Sequence, residues 1–252
     1  MNFIKNIIRN IRQKTLHIIL SLLTKKLIMS NKRTLIIAPH PDDETFGCGG
    51  LITQKIQNGA EVFILFLTNG EKSLHTVPQK ELKQIRHASA IKASELLGVN
   101  EDNIQWMDLP DGNIPRSVAP EFRSARDNLL NIIQTLHVEE VYATHYLDGW
   151  SDHIAAYELT IEALKKSEQD IDFYLYWVWV WYYIGIKQIA SLHWNNIFLL
   201  PIHSVFYSKQ KALQLYYDSK TPLGKPYMGN LPKMFLKAFD WPYEVFEKVE
   251  YK

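Results

Sequence analysis

The chain has 252 residues, 46% hydrophobic and 22% charged, which predicts one large domain or two small ones and excludes disordered, collagen-like and coiled-coil proteins. Its 28 lysines and arginines nearly balance its 27 acidic residues, so no chain-wide basic field indicates nucleic-acid binding. The single cysteine, Cys48, excludes an intrachain disulfide framework and a cysteine-rich zinc site.

The start of the chain differs from the rest in charge, because residues 1–33 hold eight lysines and arginines and no acidic residue. Apolar residues recur there mostly on one face of a predicted amphipathic helix, at Ile4, Ile7, Ile8, Ile11, Ile18, Ile19, Leu22 and Leu23. Three interpretations stay open: a helix on an anionic membrane surface, a helix packed on the body or on another subunit, and a targeting peptide. We predict a basic amphipathic extension over residues 1–30 and one domain over residues 31–252.

From residue 34 onward, strand and helix patterns alternate along the chain. Short β-branched or continuously apolar runs predict strands at 34–39, 61–68, 103–107, 141–144, 172–180 and 198–205. Helical periodicity predicts helices at 51–58, 79–97, 120–136, 153–166 and 209–217. Consecutive strand–helix steps predict an α/β protein with a mostly parallel sheet between two helical layers. The last stretch is rich in proline and aromatic residues, and residues 227–241 are a candidate cover for a pocket.

Groups that can bind a metal follow the first and the fourth predicted strands. His40-Pro-Asp-Asp-Glu44 follows the first, and a loop from His145 to His153 follows the fourth. Ligands bind beyond the carboxyl ends of parallel strands, so we expect both loops at the same edge. Two histidines and one aspartate leave a coordination position open for water, as catalytic zinc requires. Adjacent carboxylates allow one to bind the metal while the other accepts a proton.

Simpler interpretations of the same residues also exist. An Asp-Asp pair before a helix can cap the helix or interact with its dipole. Gly47-Cys-Gly-Gly50 lacks the lysine and hydroxyl residue of a phosphate-binding P-loop, and its glycines indicate a close approach of helix and strand. Five further histidines have no ligand-like spacing and are interpreted as surface or core residues: His75, His87, His137, His193 and His203.

The motif Ala38-Pro-His-Pro-Asp-Asp-Glu44, with the glycines that follow it, resembles the signature of the LmbE-like (PIG-L) N-deacetylases. Ser151-Asp-His153 is similar to that family's second metal motif. Arg86 lies in a segment similar to its arginine-containing helix, and Leu109-Pro-Asp-Gly112 resembles a substrate-side loop. The likeness covers residues 34–165. It implies a Rossmann-like three-layer fold and the removal of acetyl groups from N-acetylated sugars with a divalent metal, usually zinc.

The resemblance also implies roles for individual side chains. The implied metal ligands are His40, Asp43 and His153, and the implied metal is Zn²⁺ or another divalent ion such as Fe²⁺. The implied catalytic groups are Asp42 as general base and Asp152 as a supporting carboxylate. His145 is not part of the family pattern and is added as a candidate proton donor from the same loop. The residues expected to contact the substrate are Arg86, Asp111 and Trp150.

Two positions depart from the family pattern. Trp150 stands where the family has a histidine that acts as an acid or stabilises the oxyanion, and an indole N–H cannot shuttle a proton. His145 is one candidate replacement, return of the proton from Asp42 is another, and a purely structural role for His145 is the alternative. Ser89 stands where many relatives carry glutamate.

Together these observations predict a zinc-dependent deacetylase of an N-acetylhexosamine conjugate, N-acetylglucosamine above all, that is lipid-linked or destined for a surface glycan. We expect a cytoplasmic protein with peripheral membrane contact through residues 1–30 and no nucleic-acid partner, and the sequence leaves the oligomeric state open. One alternative is a sugar-binding or assembly protein of the same fold with impaired catalysis, which Trp150 motivates. The other is a hydrolase of a different N-acyl amide.

Overall fold

The computed structural model describes the backbone of residues 2–252 and the side chains of residues 6–185 and 187–252. An eight-stranded sheet lies at the centre of this structure. Its strands are β1 (Lys25–Lys26), β2 (Thr34–Ala38), β3 (Val62–Phe66), β4 (Ile104–Trp106), β5 (Glu140–Thr144), β6 (Asp172–Tyr176), β7 (Ile197–Pro201) and β8 (Tyr243–Val249). Their order across the sheet is β1-β7-β8-β6-β5-β2-β3-β4. β8 is antiparallel to both of its neighbours, and all other pairs are parallel.

Helices cover both faces of this sheet. Over the same residues they are α1 (Asn2–Leu23), α2 (Asp43–Gln57), α3 (Gln79–Leu96), α4 (Phe122–Thr135), α5 (Ser151–Lys166), α6 (Val180–Tyr183), α7 (Ile186–Ala190), α8 (Phe206–Asp218) and α9 (Lys233–Leu236). Helices α1, α2, α3 and α8 contribute to the core on one face, and α4 and α5 to the core on the other. Within residues 2–252, no helix combines the length and the hydropathy that crossing a bilayer requires.

The central strands divide their side chains between the two cores. In β2, Ile36 and Ala38 join one core, whereas Leu35 and Ile37 join the other. Successive strand residues point to opposite faces, so a strand covered on both sides is apolar throughout. The predicted α/β fold, with a mostly parallel sheet between two helical layers, is confirmed.

Helix α2 begins at Asp43, so the predicted start at Leu51, after a loop through Gly50, is wrong. Glycine weakens an isolated helix, which is why the sequence pattern indicated a loop. In the folded chain, a Cβ on Gly47 would lie 2.1 Å from Cδ2 of Tyr176, and one on Gly50 would lie 2.4 Å from Cγ2 of Ile202. The glycines therefore allow α2 to lie directly against β6 and the end of β7.

The C-terminal part of the sheet also differs from the prediction. The predicted strand 172–180 ends at Tyr176, and α6 follows it. Strand β8 was not predicted, although it lies inside the sheet between β7 and β6. Its buried Glu244 and Glu247 made the segment look polar, and both are paired inside the protein, with Lys209 and His145 respectively.

The N-terminal segment shares the core and the sheet. β1 pairs with β7 at the sheet edge. Leu16 and Leu20 of α1 are fully buried, and Arg12 Nη2 donates a hydrogen bond to the carbonyl oxygen of Tyr182 at 2.7 Å. One face of α1 therefore packs on the body of the protein.

Candidate active site

The carboxyl ends of the parallel strands open into a cavity of about 540 Å³. Eight of the nine predicted site residues line it: His40, Asp42, Asp43, Arg86, Asp111, Trp150, Asp152 and His153. They come from the loop after β2 and the start of α2, from α3, from the loop after β4, and from the loop after β5 and the start of α5. The predicted convergence of the loops after β2 and β5 is therefore observed.

The three predicted metal ligands lie together in this cavity. One ligand atom from each of His40, Asp43 and His153 lies within 4.8 Å of the other two. Oδ2 of Asp43 is 3.2 Å from Nδ1 of His40 and 3.3 Å from Nε2 of His153. The helix starts explain this closeness, because Asp43 is the first residue of α2 and His153 lies in the first turn of α5.

His153 is oriented by a carboxylate to which the sequence analysis gave no role. Nδ1 of His153 lies 2.7 Å from Oδ2 of the fully buried Asp148. The other oxygen of Asp148 accepts backbone N–H groups of Trp179 and Val180 at 2.9 and 2.8 Å. With Nδ1 donating to Asp148, Nε2 presents its lone pair towards Asp43, as a metal-binding histidine requires. The sequence did contain a signal for this role, because Asp148 is a carboxylate in the same loop as the ligand His153.

A second cluster shares His40. Nε2 of His40 lies 3.1 Å from Oδ2 of Asp152 and 3.2 Å from Oδ1 of Asp111. Asp152 also accepts the N–H of Gly112 at 2.7 Å, and Asp111 accepts the N–H of Lys72 at 2.6 Å. Two imidazoles with one carboxylate suit a transition metal better than one imidazole with two carboxylates, so the set of His40, Asp43 and His153 is the better site. Asp152 and Asp111 then hold the ring of His40.

The charges around the two imidazoles favour a cation at this point. Although burial opposes the shift, Asp43 and Asp148 raise the pKa of His153 to about 9. Burial also lowers the pKa of His40, but Asp111 and Asp152 outweigh this effect and raise the pKa well above its usual range. The carboxylates thus stabilise positive charge between them. A divalent metal supplies that charge, and two imidazole nitrogens with one carboxylate are a donor set that suits it.

Asp42 has a strained backbone that a buried glutamate holds in place. Its φ of +129° lies in a region that residues other than glycine rarely adopt. The backbone N–H of Asp42 donates to Oε2 of Glu44 at 2.9 Å, and the hydroxyl of Tyr216 donates to Oε1 of Glu44 at 2.6 Å. Glu44 belongs to the recognised motif, but its positioning role was missed, because the partner Tyr216 lies on distant α8.

Arg86 and burial together set the state of the Asp42 carboxyl. Nη2 of Arg86 lies 3.2 Å from Oδ2 of Asp42 and donates to the carbonyl oxygen of Pro41 at 2.6 Å. Burial raises the pKa of Asp42 to about 7, although the charge of Arg86 opposes the shift. A carboxyl with this pKa can take up and release a proton near neutral pH.

His145 is the one predicted site residue that does not line the cavity. Its ring is fully buried, with Nε2 2.7 Å from Oε2 of Glu247, and Nδ1 accepts the N–H of Leu147 at 3.0 Å. Since both ring nitrogens are engaged away from the cavity, the geometry does not support His145 as proton donor and favours the structural alternative. The prediction missed this because Glu247 lies on the unpredicted β8.

Other cavity residues escaped the sequence analysis. His75 and Lys72 line the cavity from the loop after β3, although His75 was interpreted as an ordinary surface or core residue. The sequence signal for His75 was its position in a loop after β3, a strand that ends at this edge of the sheet. Residues 228–231 and Phe235 also line the cavity, in agreement with the suggested cover from residues 227–241.

Comparison with known proteins gives a consistent result. The profile of the family described as "PIG-L: GlcNAc-PI de-N-acetylase" matches residues 35–164, which run from β2 to α5. Diacetylchitobiose deacetylase of Thermococcus kodakarensis is 30% identical over 110 residues, which cover 41% of this chain and 37% of that protein. A 1D-myo-inositol 2-acetamido-2-deoxy-alpha-D-glucopyranoside deacetylase of Tsukamurella paurometabola is 28% identical over 163 residues, covering 53% and 55%. The chain therefore spans only about a third to a half of the length of these two relatives.

A solved structure agrees with the fold. The N,N'-diacetylchitobiose deacetylase from Pyrococcus horikoshii superposes with a TM-score of 0.62 at 22% identity, over 83% of this chain and 74% of that one. At this identity the likeness concerns the fold, and the chemistry of the site has to be argued from its own side chains.

Proposed function

Because the chain belongs to the PIG-L (LmbE-like) family, we propose that it is a metal-dependent N-deacetylase that hydrolyses the acetamide of an N-acetylhexosamine conjugate, N-acetylglucosamine above all. One observation carries the proposal: two imidazoles and a carboxylate converge within 4.8 Å, and the carboxyl of Asp42, which is outside this ligand set, lines the same cavity. Relatives named as deacetylases of N-acetylglucosamine conjugates support hydrolytic cleavage of an amide.

The metal we propose is zinc, held by His40, Asp43 and His153, because this ligand set is typical of catalytic zinc; Fe²⁺ is the alternative. When bound, such an ion acts as a Lewis acid on the amide carbonyl and lowers the pKa of water towards about 7. Asp148 holds His153 in the required tautomer, and Asp111 and Asp152 hold His40.

Asp42 is the proposed proton carrier. It accepts the proton of the attacking water and returns it to the nitrogen of the leaving amine, for which a pKa of about 7 is suitable. Arg86 orients its carboxyl group from 3.2 Å. One residue serves in both directions, since Trp150 cannot carry a proton and His145 faces Glu247.

The cavity walls suit a sugar. Trp150, Trp179 and Phe235 supply aromatic surface, and His75 and Lys72 supply polar groups. Apolar walls with a few polar groups are typical of small-molecule sites. As finer proposals, the conjugate is lipid-linked or destined for a surface glycan, and the enzyme works in the cytoplasm at a membrane surface. The exposed apolar residues of α1 support the membrane location.

Acetate release tests the proposal directly. The purified protein, loaded with Zn²⁺, is expected to release acetate from an N-acetylglucosamine conjugate. Asp42→Asn is expected to lower kcat by about 100-fold or more at unchanged metal content, because the amide cannot accept the proton. Asp127→Asn, at an exposed residue outside the cavity, is the matched control.

The alternatives give different results in the same assay. Sugar binding without acetate release would favour the impaired sugar-binding protein that Trp150 motivates. Turnover of other N-acyl amides, with none of the N-acetylhexosamine conjugates, would contradict the proposed substrate class and favour the second hydrolase.

A further inference from the structure

Helix α1 packs on the protein with one face and leaves an apolar face exposed. Leu16 and Leu20 are 1% and 0% exposed and join the core. Other apolar residues of α1 are between 43% and 77% exposed: Ile7, Ile8, Ile11, Ile18, Leu22 and Leu23. At about 100° per residue, Ile11, Ile18 and Leu22 lie on the side of the helix opposite Leu16 and Leu20. The amphipathic pattern in the sequence thus marks mainly the outward face.

The charges around this face select one kind of partner. Lys14, Lys25 and Lys26 are exposed, and residues 1–33 contain no acidic residue. Aliphatic side chains flanked by lysines are typical of helices that lie in the surface of anionic membranes. A second copy of the chain on this face would bring like charges together, which disfavours a dimer.

The same helix is attached to the mouth of the cavity. The guanidinium of Arg9 lies 4.1 Å from the ring centroid of Tyr182. The ring of Tyr182 lies 5.9 Å from Trp179, which lines the cavity, and Trp179 lies 5.4 Å from Trp150. α1 also packs against α9, which carries the cavity residue Phe235.

Aromatic side chains at this place are partly open to solvent. Trp150 and Tyr183 are 46% and 45% exposed. We name Trp150, Trp179, Tyr182 and Tyr183 the aromatic rim. Tryptophan and tyrosine are enriched at the membrane–water interface, because their rings are apolar and their N–H and O–H groups bind water.

We infer that the outward face of α1 docks on an anionic phospholipid bilayer and keeps the cavity mouth, whose aromatic rim contacts this helix through Tyr182 and Arg9, close to the lipid headgroups. The docking follows from the exposed residues alone. Its consequence for catalysis rests on the proposed function: an N-acetyl sugar on a lipid in the same membrane reaches the cavity more readily than a soluble conjugate does.

Vesicle sedimentation tests the docking. The full chain is expected to sediment with vesicles of equal parts phosphatidylcholine and phosphatidylglycerol, and much less with phosphatidylcholine alone. The triple variant Ile11→Gln, Ile18→Gln, Leu22→Gln is expected to lose at least about 10-fold in affinity, because three aliphatic side chains no longer enter the bilayer. Glutamine keeps the helix propensity high.

A matched control uses exposed apolar residues that belong neither to α1 nor to the aromatic rim. Val118, Tyr207 and Leu223 are 93%, 71% and 86% exposed, and their triple change to glutamine is expected to leave vesicle binding unchanged. Failure of the wild-type chain to bind anionic vesicles would overturn the inference. So would equal binding by the α1 variant, or a wild-type dimer in solution that this variant converts to a monomer.

Activity on two substrates separates this inference from the proposed function. The α1 variant is expected to keep kcat/KM on a soluble N-acetylglucosamine conjugate and to lose at least about 10-fold on the same sugar carried by a phospholipid in anionic vesicles. Equal loss on both substrates would contradict the docking role. If the wild-type chain binds vesicles but cleaves neither substrate, the proposed function fails and the docking surface stands.

Discussion

At the scale of single residues, one buried carboxylate determines which ring nitrogen of His153 carries a proton. Oδ1 of Asp148 accepts three successive backbone N–H groups, those of residues 178, 179 and 180, so this oxygen cannot turn away. The other oxygen must then face Nδ1 of His153. The start of α6 thereby fixes which nitrogen of the histidine is available to a metal.

Asp148→Asn is expected to weaken metal binding by about 10- to 100-fold. The amide oxygen must stay on the backbone N–H groups, so the NH₂ group faces Nδ1 and moves the histidine proton to Nε2, the ligand atom. Competition with a chelator of known affinity measures the effect. The exposed Asp127→Asn variant is the control, and unchanged metal affinity in Asp148→Asn would show that the carboxylate does not set the tautomer.

At the scale of elements, the close contact between α2 and β6 positions the site. Asp42 and Asp43 stand at the start of α2, and the glycines behind them let the helix lie on Tyr176. The ring of Tyr176 is held at its far end as well, since its hydroxyl donates to the carbonyl oxygen of Ile37 at 2.9 Å. The ring of Tyr176 therefore cannot shift easily to make room for a larger residue on α2.

Gly47→Ala is therefore expected to destabilise the protein by about 1–3 kcal/mol, as overpacking of a filled core does. Its Cβ would lie 2.1 Å from Cδ2 of Tyr176. Gly49→Ala in the same helix is the matched comparison, because the nearest atom to its Cβ would be Cγ of Lys209 at 3.1 Å, a much milder contact than the one at Gly47. Urea unfolding of both variants measures the difference, and an equal loss in the two would refute the packing argument.

At the scale of the whole molecule, α1 is attached to the body through a neutral histidine. His17 stacks on Trp241 at 4.0 Å and meets the edge of Trp181 at 5.2 Å. Burial lowers the pKa of His17 from 6.5 to about 4. Charging this ring therefore opposes the packed position of α1.

The pH dependence of stability follows from this pKa shift. Between pH 6.5 and 4 the unfolded chain binds a proton at His17 that the folded chain does not bind, so this contribution to stability is complete above pH 6.5 and is lost as the pH falls towards 4. His17→Phe is expected to lose less stability than the wild-type chain over this range. Urea midpoints at several pH values test it, with the exposed His203→Phe variant as control. Parallel pH profiles for wild type and His17→Phe would contradict the assignment.

Much of the fold was predictable because local patterns carry it. The apolar runs of β2 to β6 and the periodicity of α3, α4 and α5 are each readable within one segment. β8 was not predictable in this way, because its Glu244 can be buried only when it pairs with Lys209 of α8. The start of α2 was not predictable either, because the glycines favour a helix here only through the close contact with Tyr176 and Ile202.

The sequence by itself indicated which side chains could form the site, since His40 and Asp43 closely follow one strand, His153 stands at the end of the loop after another, and both motifs resemble those of a known family. Only the tertiary structure decided that Asp148 orients His153, that His145 turns to Glu247, and that the apolar stripe of α1 faces outward. A sequence pattern shows which residues lie on one face of an element. What that face meets depends on contacts between distant parts of the chain.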